Sequence, residues 1–348
     1  MTNALGTIGD GAAELLHIDP ADATESICQS LQHMVGETLR RRGLVVAMSG
    51  GIDSSVCAAL AVRALGRERV FGLMLPERDS SPESLSLAME LADQLGIQYA
   101  IENITPTLDA VGCYARRDEA IRRVVPEFTS EWKSKVVIGG NRLATNRLNV
   151  NYIVVQAPGA EVERYRLPAA EYRQIVAATN FKQRIRKMME YYHADRLHYA
   201  VVGTPNRLEY DQGFFVKGGD GLADLKPIAH LYKTQVYQLA EYLGVPEGIR
   251  TRPPTTDTYS LQQSQEEFYF TLSARVMDAM LYAHNAGMMP EEASDVLEFP
   301  TEQVERAYRE IEQKRSTTRY LHLKPLLVEP VPQIQHEAGQ PVLVGESD

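Results

Sequence analysis

The chain has 348 residues, with 36 Lys and Arg against 46 Asp and Glu, a formal net charge of −10, and 44% hydrophobic against 24% charged residues. This is an ordinary globular composition, long enough for a sizeable core and a deep cleft, and its acidic balance argues against nucleic acid as a partner. Three cysteines (Cys28, Cys57 and Cys113) with no CxxC or Cys/His cluster argue against a disulfide framework or a zinc site, and the lack of a leader pattern or a run of about 20 apolar residues points to the cytoplasm with no membrane partner.

Residues 1–22 mix Gly, Ala and polar residues without period and read as a flexible arm. Ile27, Leu31, Met34, Val35 and Leu39 recur at helical spacing, which predicts a helix over Thr24–Arg42 stopped by Gly43. Leu44–Met48 is a short continuous apolar run between Gly43 and Gly50, the pattern of a strand buried on both faces. An Ala-rich helix to Gly66, a strand at Val70–Leu75, a helix at Pro82–Leu95 closed by Gly96 and a strand at Ile97–Glu102 continue the alternation. This βαβαβ order predicts an α/β fold, a doubly wound parallel sheet with helices on both faces.

The stretch 106–168 breaks the rhythm and reads as an insertion. Within it, Tyr152–Gln156 and Glu161–Leu167, joined by Ala157-Pro158-Gly159-Ala160, predict a β-hairpin. A long helix over Ala169–His193, a strand at His198–Val202, a loop-rich stretch to Pro227 and renewed helix near Tyr232 follow. The rest reads as mainly helical to about Thr317, with starts at Pro290 and Thr301. One domain is thus expected over 23–325, with a tail over 326–348.

If Leu44–Met48 is a strand, Ser49 to Ser55 lies beyond its carboxyl end, where doubly wound sheets bind ligands. Gly50 and Gly51 let the backbone turn its N–H groups towards one point, and Ser54 and Ser55 add hydroxyls at a helix N-terminus, a chemistry suited to phosphate. Asp53 would repel bare phosphate and fits a bridging divalent cation, Mg²⁺ being the natural candidate. A plain strand-to-helix turn with Ser and Asp as caps is the other reading of this cluster. Neither GxxxxGK[ST] nor GxGxxG is present.

Ser49-Gly50-Gly51-Ile52-Asp53-Ser54 resembles the SGGxDS loop of the ATP pyrophosphatase superfamily, of adenine nucleotide alpha hydrolase-like fold, whose members cleave ATP between the α and β phosphates. Within it the chain most resembles the ammonia-dependent NAD synthetases. Asn180-Phe181-Lys182-Gln183-Arg184-Ile185-Arg186 is similar to that family's N-x-x-x-R-x-R helix, and Gly203-Thr204 through Glu209 and Gly213-Phe214-Phe215 to its GT-x4-E-x3-GFF stretch. Lys217-Gly218-Gly219-Asp220-Gly221-Leu222-Ala223-Asp224 resembles its K-x-GDGGAD loop, Leu231-Tyr232-Lys233-Thr234-Gln235 its L-x-K-x-Q helix start, and Pro254-Thr255-Thr256-Asp257 its PTAD segment.

The resemblance implies an amide ligase that takes ATP as co-substrate with Mg²⁺, adenylates the nicotinate carboxylate of nicotinic acid adenine dinucleotide, and lets ammonia displace AMP to give NAD. It implies ATP contacts at Ser49, Gly50, Gly51, Asp53, Ser54, Thr204, Lys233 and Thr255, metal ligands at Asp53 and Glu209, and acceptor contacts at Arg184, Phe214, Lys217, Asp220 and Asp224. Asp53, Lys233 and Asp220 would be the catalytic residues. Lys233 is placed to neutralise pyrophosphate, its other reading being a solvated surface lysine. Arg184 and Arg186 are two apart on a helix and point in different directions, so the sequence does not choose between them. Asp220 and Asp224 also read as a solvated, mobile loop.

A homodimer is implied, and ammonia arrives free or from a separate glutaminase. The insertion is longer than the compact family form has there, and its hairpin stands where it could cover the acceptor site. Gln313-Lys314-Arg315 is the nearest match to the family's C-terminal His-Lys-Arg element. Other readings keep ATP pyrophosphatase chemistry on a different carboxylate, such as a sugar acid or biosynthetic intermediate, or make the chain a non-catalytic nucleotide-binding relative.

Overall fold

Four short strands, β1 (Leu44–Ala47), β2 (Val70–Met74), β3 (Gln98–Ile101) and β7 (Ala200–Val201), lie parallel in the order β3-β2-β1-β7 in the computed structural model, which describes residues 10–139, 150–253, 258–261, 273–329 and 331. Leu44 stands opposite Val70 on one side and Ala200 on the other. The strand order reverses at β1, so the segments leaving β1 and β7 diverge and open a crevice at their carboxyl ends.

Side chains alternate across the sheet and fill two cores. Leu44, Val46, Val70 and Met74 pack with α2 (Pro20–His33), α3 (Ile52–Leu65), α4 (Pro82–Leu95) and α9 (Lys233–Tyr242) through Ile27, Leu31, Val56, Leu60, Leu91, Val236 and Leu239. Val45, Phe71, Leu73 and Val201 pack on the opposite face with α5 (Thr105–Ala110), α6 (Cys113–Arg122) and α7 (Ala169–Leu197). Each fully buried Leu or Val here contributes about 1.5–3 kcal/mol relative to exposure, so the βαβαβ pattern and the helices on both faces follow from where apolar area can be hidden.

A second sheet of antiparallel strands, β4 (Lys133–Gly139), β5 (Val150–Gln156) and β6 (Val162–Arg166), stands apart in the order β4-β5-β6. The expected hairpin is the β5–β6 pair, with Tyr152 opposite Arg166. Strand β4 is an addition to it, held by the buried Val136, Ile153 and Val155 with Phe128 and Ile175. The expected insertion is narrower than 106–168, because Leu108, Cys113 and Tyr114 of α5 and α6 belong to the core of the parallel sheet.

The C-terminal part forms a helical layer of α11 (Ala274–Asn285), α12 (Pro290–Leu297) and α13 (Thr301–His322), cored by Met277, Met280, Leu297, Val304 and Ile311. The remaining short helices are α1 (Asp10–Leu15), α8 (Arg207–Gln212) and α10 (Glu247–Arg250). Residues 10–22 are not an arm. Ala12 and Leu16 are fully buried in the helical layer, and Asp19 accepts the N–H groups of Ala21 and Asp22 at 2.8 and 3.1 Å to cap a helix that starts at Pro20. That helix gives way at Met34 to a wider turn, Met34–Thr38, short of the expected Arg42. The long helix runs four residues past His193 to Leu197, and α13 runs five past Thr317 to His322. No helix among the described residues is long and apolar enough to cross a membrane.

Candidate active site

The loop after β1 closes on itself. The Ser49 N–H donates to Ser54 Oγ at 3.3 Å, the Gly51 N–H to Ser49 Oγ at 3.3 Å, and Ser54 Oγ to the Gly51 carbonyl at 3.0 Å. Gly50 has a φ of +74°, and a Cβ there would stand 2.2 Å from the Ser84 carbonyl oxygen, so both its backbone conformation and the approach of α4 require glycine. Ser49, Gly50, Gly51, Asp53 and Ser54 line a cleft of about 550 Å³, a size suited to a small-molecule site. Ser55 does not line it: its hydroxyl donates back to the Gly51 carbonyl at 2.8 Å, and no side chain caps the N-terminus of α3.

Across the crevice stands a charged cluster. The Lys233 ammonium at the start of α9 donates to Asp53 Oδ2, while Asn206 Nδ2 donates to Asp53 Oδ1 at 3.0 Å. Asn206 is also the N-cap of α8: its side chain accepts the Glu209 N–H at 3.1 Å and the Glu209 carboxylate accepts the Asn206 N–H at 3.3 Å, a reciprocal capping box. Burial alone would lower the Lys233 pKa. The Asp53 and Glu209 carboxylates outweigh it and hold the ammonium charged, well above its ordinary range. Lys233 is 2% exposed, not the solvated surface lysine of the alternative reading.

Thr204, Glu209, Phe214, Lys217 and Asp220 line the same cleft, as do both Arg184 and Arg186. Arg184 Nε donates to the Lys217 carbonyl at 3.3 Å and Arg186 Nε to the Leu75 carbonyl at 3.3 Å, so one braces the glycine-rich 217–224 loop and the other the end of β2. The Lys217 ammonium donates to the carbonyls of Tyr320 and Leu323 at 2.6 and 3.1 Å and ties the end of α13 to the cleft. Asp220 is held by the Val216 N–H at 2.7 Å, and burial raises its pKa against that bond and the nearby Lys187.

Asp224 is not brought into the cleft. Its carboxylate accepts the Val201 N–H at 2.7 Å and the Tyr191 hydroxyl at 3.2 Å, binding the loop to β7. The 220–224 segment is therefore tethered, not a free solvated turn. Thr255 lies outside the described residues. Arg315 also lies off the cleft, bonded twice to Asp211 at 2.7 Å, and the end of α13 that lines the cleft is Tyr320 and Leu321. None of the described residues of 106–168 lines it either.

The sequence reading passed over Asn206, although Asn-x-x-Glu is a legible capping signature, and Arg252, whose Nη1 donates to Ser84 Oγ at 2.9 Å from the cleft wall. It also gave no role to Lys182. That buried ammonium bonds Glu77 at 2.9 Å, Asp79 at 2.7 Å and the Thr258 carbonyl at 2.8 Å, while Arg117 bonds Asp79 at 2.7 Å and Asp118 at 2.8 Å. No single stretch of chain carries a signal for that network.

A glycine-serine loop at the switch point of a parallel sheet, faced by a lysine and two carboxylates, defines an α/β protein of the adenine nucleotide alpha hydrolase-like type. Its sequence matches the NAD synthase family over residues 23–162 and 141–320. A Rhizobium rhizogenes protein named NH(3)-dependent NAD(+) synthetase is 58% identical over 320 residues, 92% of this chain and 96% of that one. One of the same name from Rhizobium meliloti is 54% identical over 93% of this chain and 96% of its own. The NMN synthetase of Francisella tularensis superimposes with a TM-score of 0.61 at 22% identity, covering 89% of this chain and 99% of the other, and shares the fold. So does the NH3-dependent NAD synthetase of Campylobacter jejuni, with a TM-score of 0.58 at 23% identity over 90% and 100%. The chain belongs to the NAD synthase family, ligases that form a C–N bond with ATP as co-substrate.

Proposed function

We propose that this chain converts nicotinic acid adenine dinucleotide, ATP and ammonia into NAD, AMP and pyrophosphate. The observation that carries the reading is the closure of the Ser49–Ser54 loop against Lys233, Asp53 and Glu209 within one cleft. In the first step a nicotinate carboxylate oxygen attacks the α-phosphorus of ATP, the bond to the bridging oxygen breaks and pyrophosphate leaves. The loop N–H groups and the Ser49 and Ser54 hydroxyls hold the departing phosphates, and the Lys233 ammonium meets their charge. In the second step the nitrogen of ammonia attacks the acyl carbon, AMP departs and one proton is released. Asp220, its basicity raised by burial, accepts that proton. No covalent enzyme intermediate is needed; positioning and charge neutralisation suffice.

The donor set suits Mg²⁺. Two hard carboxylates, Asp53 and Glu209, face the phosphate loop around one ammonium, and no group of three or more His, Cys, Asp or Glu stands ready as an all-protein cage among the described residues. Mg²⁺ is bound in this way by one or two carboxylates together with substrate phosphates. When bound it supplies charge neutralisation on phosphate oxygens. Thr204 and Thr255 are assigned to the ATP side, Arg184, Phe214 and Lys217 to the acceptor side, and Arg252 joins the ATP wall. Asp224 supports the acceptor loop from behind. The enzyme is further proposed to work in the cytoplasm as a homodimer on free ammonia or ammonia from a separate glutaminase.

The test is pyrophosphate release and product mass with Mg-ATP, ammonium and nicotinic acid adenine dinucleotide. NAD is the expected product; tight ATP binding with no NAD formed would overturn the acceptor. Light scattering checks the dimer, and a monomer at working concentration would remove that assignment.

A further inference from the structure

Helix α9 begins at Lys233 behind Tyr232, whose own N–H is accepted by Gln235 Oε1 at 3.0 Å, while the N–H groups of the first helical residues need partners from elsewhere. They find them in the helical layer. Asp278, fully buried on α11, accepts the Thr234 N–H at 2.7 Å and the Thr234 hydroxyl at 2.9 Å through the same Oδ2. The neighbouring Lys233 N–H lowers the pKa of this carboxylate from the same helix end. Asp278 Oδ1 has no hydrogen-bond partner among the described residues, so the carboxylate is committed to this one helix end. The seat is reinforced on either side: Asn285 Nδ2 donates to the Tyr232 hydroxyl at 3.1 Å, and the Tyr232 and Tyr282 rings lie 5.7 Å apart.

The same layer holds the other half of the charged cluster. Asn285 Oδ1 accepts Arg315 Nη2 at 2.6 Å, and Arg315 grips Asp211 at the end of α8, whose first turn carries Glu209 and whose cap Asn206 bonds Asp53. A closed chain of contacts therefore runs from Asp53 through Lys233 and α9 to α11, across Arg315 to α8, and back to Asp53.

We infer that Asp278 is a positioning residue for adenylation: by capping α9 from another helix it fixes the backbone of Lys233 and thereby places the Lys233 ammonium at Asp53 and the departing phosphates. This rests on the role of Lys233 proposed above. A rotation of α9 about its free end would displace Nζ without removing any group that touches substrate, and a displacement of about 1 Å at a reacting centre is enough to lower a rate about a hundredfold.

The test is a double-mutant cycle on pyrophosphate release with Mg-ATP, ammonium and nicotinic acid adenine dinucleotide, using Asp278→Ala, Lys233→Met and the pair. Asp278→Ala is expected to lower kcat about ten- to a hundredfold, to leave the acceptor KM within about twofold, and to change the Lys233→Met rate by less than about threefold. Asp278→Asn, which keeps an oxygen acceptor, is expected to recover most of the loss. An equal fold-loss in both backgrounds, or no loss from Asp278→Ala, would overturn the inference. If Asp278→Ala does not fold, Asp278→Asn takes its place in the cycle, with about a threefold loss expected on the wild type and none on Lys233→Met; equal losses would again overturn it. Full activity of Lys233→Met would remove the role of Lys233 and this inference with it, whereas an active Asp278→Ala beside an inactive Lys233→Met removes the inference alone.

Discussion

Replacing Lys182 by Met keeps the length of the side chain and deletes one charge and three hydrogen bonds from a site where Lys182, Glu77 and Asp79 are 1%, 0% and 7% exposed. Arg117 still serves Asp79 and Asp118 in the variant, so the carboxylate left without a cation is Glu77, which keeps the Tyr114 hydroxyl at 2.6 Å and the Asp79 N–H at 3.1 Å. Breaking a buried pair by removing one partner costs about 3–5 kcal/mol, and the surviving hydrogen bonds place Lys182→Met near the lower end at pH 8. The loss must shrink on acidification. Burial raises the Asp79 pKa, but Lys182 and Arg117 together lower it further and hold it below the ordinary carboxylate value, so its stabilisation is present above about pH 4 and fades as pH falls through the folded-state value. Equilibrium urea unfolding of both proteins at pH 8 and pH 3 tests this. A difference below about 1 kcal/mol at pH 8, or one that grows at pH 3, would refute the reasoning. The KM for ATP should rise as well, because the loop that Lys182 fixes presents Ser80 to Arg186 at the cleft.

Asp53→Asn should still fold, at a lower stability because the buried Lys233 loses its Asp53 partner, yet lose pyrophosphate release by about a hundredfold or more, and Glu209→Gln should fall strongly in the same assay; unchanged release from either would strike that residue from the metal site. Gly50→Ala forces a non-glycine residue to a φ of +74° and sets its Cβ 2.2 Å from the Ser84 carbonyl. The backbone strain alone is about 1–2 kcal/mol, and ATP affinity by titration calorimetry should drop about tenfold or more, a wild-type affinity being inconsistent with the loop geometry. Burial pushes the Asp278 carboxyl up to about 7 against the lowering effect of the Thr234 and Lys233 N–H groups. The folded state then binds the extra proton, so this group's contribution to stability is largest at about pH 4 and declines as pH rises towards 7. Asp278→Asn should remove that slope, and a wild type and variant with parallel pH–stability curves would contradict it.

How much of this was legible depends on the range of the physics involved. The SGGxDS loop, the helix starts at Pro82, Pro290 and Thr301 and the β5–β6 hairpin are written in contiguous residues, because a tight turn, a proline at N1 and a period of two act over a few positions. Strand β4 escaped because its Lys-Ser-Lys start reads as polar loop until Ser134 is buried, its N–H bonded to Ser260 Oγ at 2.9 Å. Residues 10–22 look like an arm for a related reason: a six-residue helix has too little apolar periodicity to stand out, and only the C-terminal helical layer shows where Ala12 and Leu16 go.

The sequence by itself determined that this is an α/β protein with a glycine-serine loop after its first strand, that Asp53, Glu209 and Lys233 are its chemical candidates, and that its motifs run in the order of the NAD synthase family. Periodicity and backbone chemistry are local, and motifs survive as strings. Only the tertiary structure decided that Lys233 pairs with Asp53 across 180 residues, that Asp224 turns away to hold β7, that Lys182 anchors the cleft wall, and that Asp278 seats the helix carrying Lys233. Each of those depends on a charge or donor leaving water and finding its partner inside the fold, and that need is set by burial, which no stretch of sequence carries alone.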